Sequence, residues 1–167
     1  MIAEGDQGVE QMTKHRLDPM LLADLRSVLD RAQRDYKLHN DMAFSEKASQ
    51  WLCGAFPVTS WGRVDWALVP GSVVATAPMT AQAVSQATSI ASERGLLKKT
   101  IIVMWSNLII PCLETTLETA LEFGSDVFET DMDTWLMCLD EEWCFEHYHE
   151  GELGFGFSPK IASAAIP

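Results

Sequence analysis

Apolar residues along the chain fall into stretches whose spacing predicts individual elements. From Met20 to Tyr36, the positions Met20, Leu21, Leu25, Val28, Leu29, Ala32 and Tyr36 recur at helical intervals. Asp18-Pro19 supplies an N-cap and a first turn for that helix. Its other face, with Arg26, Asp30, Arg31, Arg34 and Asp35, is mixed in sign, as a solvated face is. A second apolar stretch over 48–56 ends at Pro57. Trp61-Gly62 then turns into residues 63–69, whose alternation predicts a strand stopped by Pro70-Gly71. The run 80–94, closed by Gly95, predicts a helix. The uninterrupted β-branched run 99–105 predicts a central strand buried on both faces. After Pro111, the spacing of Leu113, Leu117, Ala120 and Leu121 predicts a helix over 113–123, with Gly124 as its stop.

The last segment, 133–157, reads as a three-stranded meander. A turn at Asp140-Glu141-Glu142 would set Leu139 opposite Trp143, Met137 opposite Phe145, Trp135 opposite His147 and Asp133 opposite His149. Trp135, Met137, Leu139, Trp143 and Phe145 then form the core face. A three-residue second loop, Glu150-Gly151-Glu152, keeps Leu153, Phe155 and Phe157 on that face, whereas a two-residue loop would reverse them. Cys138, Cys144, Glu146 and Tyr148 fall on the other face beside Gly154 and Gly156. Bare glycine backbone there either leaves Tyr148 and Glu146 accessible to a partner or admits a closely packed helix. The fold class is α+β: a mainly antiparallel sheet ending in this meander, with helices packed on it. Residues 1–18 read as a flexible leader, with Met12 a conceivable alternative start, and residues 19–160 as one globular domain.

Charge changes the picture only once it is located. Residues 1–113 carry eleven acids and eleven bases, while 114–167 carry thirteen acids against Lys160 alone, so the whole net charge of −12 lies in the last third. Such a surface repels nucleic acid and anionic lipid and speeds encounter with a basic protein. The candidate partner-binding residues are therefore the ridge Glu114, Glu118 and Glu122, the acids Asp126, Asp131, Asp140, Glu141 and Glu142, and Glu146. Tyr148 and Trp61 are added as anchors, Trp61 because it sits between Ser60 and Gly62 in a turn beside Arg63. The other tryptophans mostly belong to the core.

Other chemistries find less support. Cys53, Cys112, Cys138 and Cys144 show no CxxC and read as reduced thiols, and no signal peptide or membrane-spanning run precedes them, which together suggest a cytoplasmic protein. His147 and His149 invite a metal site, but strand alternation turns both away from Cys138 and Cys144. Gly151, Gly154 and Gly156 open no helix, so no phosphate loop is expected. The expectation is a non-enzymatic protein without cofactor. The alternative is a small metal-dependent or hydrolytic enzyme using Asp133, His147 and His149.

The segment Phe56-Pro57-Val58-Thr59-Ser60-Trp61-Gly62-Arg63-Val64-Asp65-Trp66, with Ile101-Ile102-Val103-Met104-Trp105, Asp133-Thr134-Trp135 and Glu146-His147-Tyr148-His149-Glu150-Gly151-Glu152, carries a resemblance. Over roughly 50–158 the chain resembles immunity proteins of bacterial contact-dependent growth inhibition and related polymorphic toxin systems. The resemblance implies a small cytoplasmic protein that binds a cognate toxin domain, often a basic nuclease, and blocks its active or substrate-binding surface. It carries over no active-site residues, and it leaves the segment before residue 50 without a counterpart.

Overall fold

The computed structural model describes residues 16–159. Asp18 caps a 3-10 turn, Pro19–Leu22, by accepting from the Met20 N–H at 3.0 Å, and the turn runs into α1, Ala23–Arg31. Then follow β1 (Lys37–His39), α2 (Met42–Ala55), β2 (Val73–Thr76), α3 (Thr80–Glu93) and β3 (Thr100–Trp105). The chain continues through β4 (Cys112–Thr116), α4 (Leu117–Glu122), α5 (Gly124–Glu129), β5 (Thr134–Cys138), β6 (Trp143–Tyr148) and β7 (Glu152–Phe157). All seven strands form one antiparallel sheet in the order β1-β4-β3-β5-β6-β7-β2, closed by the β5-β6-β7 meander. The fold is α+β, as the sequence predicts. Among the described residues, no helix is long and apolar enough to cross a membrane.

Both faces of the sheet are buried. On one, Ile101, Val103, Trp105, Leu113, Leu136, Trp143, Phe145 and Phe155 meet Leu25, Leu29, Ala83, Ala87, Ala120 and Phe128 from helices α1, α3, α4 and α5. On the other, Ile102, Met104, Trp135, Met137 and Cys144 meet Leu52 of α2 and Phe56, Val64, Trp66 and Val69 of the following loop. This two-sided burial explains why β3 is a continuous apolar run.

Several expectations are corrected. Residues 63–69 form no strand: Val64 makes a single bridge to Val58, and Trp66–Leu68 is a 3-10 turn that lays Trp66 and Val69 onto the sheet. The edge strand β2 lies just beyond it. The predicted helix over 113–123 divides into β4 and α4, because Thr115-Thr116 is β-branched and Thr116 caps α4, its Oγ1 accepting from the Thr119 N–H at 3.2 Å. Gly124 opens α5 rather than ending a helix.

The meander's register also differs. Cys138 pairs with Trp143, Leu136 with Phe145, Trp135 with Glu146 and Thr134 with His147. The turn takes four residues, Leu139 included, with Glu142 at φ 57°, so every pair shifts by one and Trp135 and Met137 move to the face opposite Trp143 and Phe145. With apolar residues on both sides, alternation could not distinguish the two registers. The second loop has three residues, but they are 149–151: Tyr148 pairs with Glu152 and Phe145 with Phe155. Leu153 and Phe155 stay in the core as expected, and Phe157 is exposed.

Candidate functional site

Glu146 anchors the loop that precedes β2. Its carboxylate accepts from the Val64 backbone N–H at 2.7 Å, the Trp135 indole at 2.8 Å and the Trp66 indole at 3.0 Å, and the Arg63 guanidinium lies 3.7 Å away. Burial pushes this carboxyl above the ordinary carboxylate range, and the donors and Arg63 pull it part of the way back. Glu146 is 1% exposed, so the accessible Glu146 expected from the sequence is corrected: a lid covers it. Gly154 and Gly156 make the lid possible, since a Cβ on Gly154 would overlap the Trp66 ring. Bare backbone thus admits an indole from a loop, the counterpart of the packed helix that the sequence left open.

The same loop presents Trp61, 83% exposed, at its tip. Arg63 fixes the base of that tip, donating to Glu152 and lying 4.1 Å over the ring of half-buried Tyr148. Trp61 and Arg63 line a shallow depression with Ala67, Ser72 and Val74, beside the free edge of β2. Trp66, Trp105, Trp135 and Trp143 are buried, in keeping with their expected core role.

The acids do not form one ridge. Glu114 lies on β4, where it meets His39 at 2.6 Å, and not in line with Glu118 and Glu122 on α4. Nor are those two unpaired: Glu122 bonds Arg34 at 2.8 Å and Glu118 bonds Lys98. Glu141 bonds Lys99, which holds its carboxyl below the ordinary range. Arg34, Lys98 and Lys99 all come from the charge-neutral part of the sequence. Folding therefore carries bases onto the acidic third.

Strand directions sort the remaining candidates. Glu118, Asp140, Glu141 and Glu142 gather at the sheet end where β3 begins and the β5-β6 turn lies, here called the Glu141 end. At the opposite end, called the His149 end, β3 and β6 finish and β5 begins. Tyr148 and Asp133 lie there, together with Asp131, whose carboxylate accepts from Ser106 Oγ and the Asn107 N–H, both at 2.6 Å. Asp126 is exposed on α5. Among the described residues, no Lys or Arg forms an ion pair with Asp126, Glu129, Asp131, Asp133, Asp140, Glu142 or Glu150.

The histidines have separate settings. Asp133 accepts from the His149 N–H at 3.0 Å and contacts His149 Nδ1 at 2.7 Å, so the two residues meet although the shifted register no longer sets them directly opposite. His147 is buried, stacked on Phe128 at 4.7 Å, and burial holds its pKa below the ordinary value. Cys138 shares the face of His147, contrary to the predicted register, but at the far end of the strand pair; Cys144 faces the other way.

An exposed indole on a pinned loop and carboxylates open to solvent are equipment for contact with another macromolecule. The class becomes specific in comparison with known families: residues 24–156 match the family model for the CdiI immunity protein, EcoliA0-like, and the chain belongs to that family. It is thus an immunity protein of contact-dependent growth inhibition, whose work is to neutralise a cognate toxin. The match takes in α1 from Asp24 onward and β1, which the resemblance seen in the sequence left without a counterpart. No curated protein sequence matches the chain.

Proposed function

We propose that this chain neutralises a basic, nuclease-type toxin domain in the cytoplasm by covering its active or substrate-binding surface, without catalysis of its own and without a cofactor. The observation that carries the reading is the surplus of solvent-open carboxylates on a member of an immunity family, Asp126, Asp140 and Glu150 among them. Lys and Arg that a nuclease offers to a phosphate backbone are the groups these carboxylates neutralise. Glu118, Glu122 and Glu141 take part by exchanging their own surface bases for the toxin's, since solvent and salt leave such exposed pairs weak. Long-range attraction raises the association rate, and a few desolvated contacts, Trp61 and Tyr148 among them, set how long the complex lasts.

The test uses the cognate toxin domain, made inactive by substitution. Association should slow steeply as salt rises, and the active domain's nuclease activity should be blocked at one-to-one stoichiometry. A complex whose association rate ignores ionic strength would overturn the electrostatic reading. A toxin domain inhibited while its active surface stays open to substrate would overturn occlusion.

A further inference from the structure

The His149 end adds to the candidate Asp131 a set of exposed apolar side chains that the sequence pattern does not single out. Three segments are stitched together there by hydrogen bonds. The Asp18 N–H donates to Ile109 O at 2.7 Å, Asp131 holds Ser106 and Asn107, and the Ser106 N–H donates to Asp133 O at 3.1 Å. Each segment displays apolar side chains to solvent: Met20 (72% exposed) and Leu21, then Leu108 (66%), then Met132 (59%). These are four of the nine large apolar side chains exposed among the described residues, and they are carried on a 3-10 turn and two loops whose backbones are tied to one another. Apolar groups gathered in this way signal contact with a partner more strongly than the same number scattered singly.

Charge decides which partner. Glu129 closes α5, at the negative end of the helix dipole where a carboxylate is disfavoured, and Asp131 follows two residues later. Neither forms an ion pair with a Lys or Arg of the described residues, in contrast to Glu118 and Glu141 at the other end. Two copies of this face would bring like charges together, so a second copy is disfavoured and a cationic surface with apolar patches fits. We infer that the loops around Met20, Leu108 and Met132 form the contact surface for the toxin domain, with Glu129 and Asp131 meeting its Lys and Arg. The inference rests on the function proposed above and narrows it to one end of the sheet.

The double variant Leu108→Lys, Met132→Lys removes apolar contact and opposes a cationic partner, while the exposure of both side chains spares the fold. Ser92→Lys, on the exposed end of α3 away from these loops, controls for added charge. Binding of the inactivated toxin domain is measured by calorimetry, with thermal melting to verify folding. The double variant should weaken binding by about tenfold or more and Ser92→Lys by less than about twofold. Wild-type affinity in a folded double variant would overturn this assignment and leave the proposed function standing. A wild-type chain that fails to bind the toxin domain would overturn both. Self-association of the wild type that the double variant abolishes would give the face to a second copy instead.

Discussion

Glu146 offers the sharpest test of how the Trp61 loop is held. Its two oxygens accept three buried N–H groups, from Val64, Trp66 and Trp135. In Glu146→Gln, the single amide oxygen can keep Val64 and Trp135 only by turning its NH2 toward the Trp66 N–H, donor against donor. One stranded buried donor costs about 1–3 kcal/mol, and relief from burying a charge places the net at the lower end of that range. Glu146→Leu strands all three donors and leaves Arg63 without its inner counter-ion, roughly 3–5 kcal/mol. Against the 5–15 kcal/mol typical of a whole domain, the second change is severe.

Urea unfolding followed by tryptophan fluorescence measures both. With a slope of about 2 kcal/mol/M, the midpoint should fall by roughly 0.5–1 M for Gln and about 1.5–2.5 M for Leu. The native emission of the Leu variant should also shift to the red before unfolding, because the two indoles bonded to Glu146 become hydrated. A Leu variant within about 0.5 kcal/mol of wild type would refute the claim that this carboxylate pins the loop, since an unbonded site would relax at that small cost.

The other expectations are briefer. Gly154→Ala should destabilise by about 1–3 kcal/mol because its Cβ overlaps the Trp66 indole, whereas Gly54→Ala, in α2 with nothing within 4 Å of the added Cβ, should be neutral or stabilising by up to about 1 kcal/mol. Equal effects in urea unfolding would reject the lid geometry. Burial lowers the pKa of His147, so its stabilising contribution is complete above the unfolded value of about 6.5 and is lost as pH falls toward the folded value. His147→Leu should flatten the stability curve in that window, and an unchanged acid slope would assign the loss to other groups. Trp61→Ala should leave the melting temperature nearly unchanged, since the side chain is 83% exposed, while shortening the lifetime of the toxin complex.

Where a cap marked a boundary, or a β-branched run left no competing period, the sequence was readable. Asp18-Pro19 opens its helix, Gly95 at φ 68° follows the end of α3, and the β-branched run at β3 is a doubly covered strand. Legibility failed where two signals had the same period or none. Leu113 and Leu117 are spaced for a helix, yet a strand ends at Thr116 and a helix begins at Leu117, a boundary signalled by the β-branched Thr115-Thr116 and the cap at Thr116. In the meander, apolar residues on both faces removed the one cue that fixes register, and a single extra loop residue, Leu139, exchanged the faces of Trp135 and Met137. Trp66 reads as part of a strand because residue types alternate over 63–69; a coil laid over glycine backbone buries Val64, Trp66 and Val69 without any ladder.

The electrostatic argument shows a similar gap between order along a chain and position in space. Thirteen acids against one base in the last third suggested an uncompensated surface, but sequence position does not set distance. The hairpin-like return of β3 beside β4 and β5 brings Lys98 and Lys99 to the Glu141 end, and Arg34 reaches Glu122 from the end of α1. What survives is a difference of degree between two ends: at one, Glu118 and Glu141 have bases of their own beside the unpaired Asp140 and Glu142, and at the other Glu129, Asp131 and Glu150 have none among the described residues. Because surface pairs are weak and salt screens them further, the first end still attracts cations at long range. At the second, neutralisation of Glu129, Asp131 or Glu150 displaces no existing pair, whereas at the first a partner that meets Glu118 or Glu141 must first displace Lys98 or Lys99. That difference, joined to the exposed Met20, Leu108 and Met132 at the second end, and not the net charge, is what predicts where a basic toxin should dock.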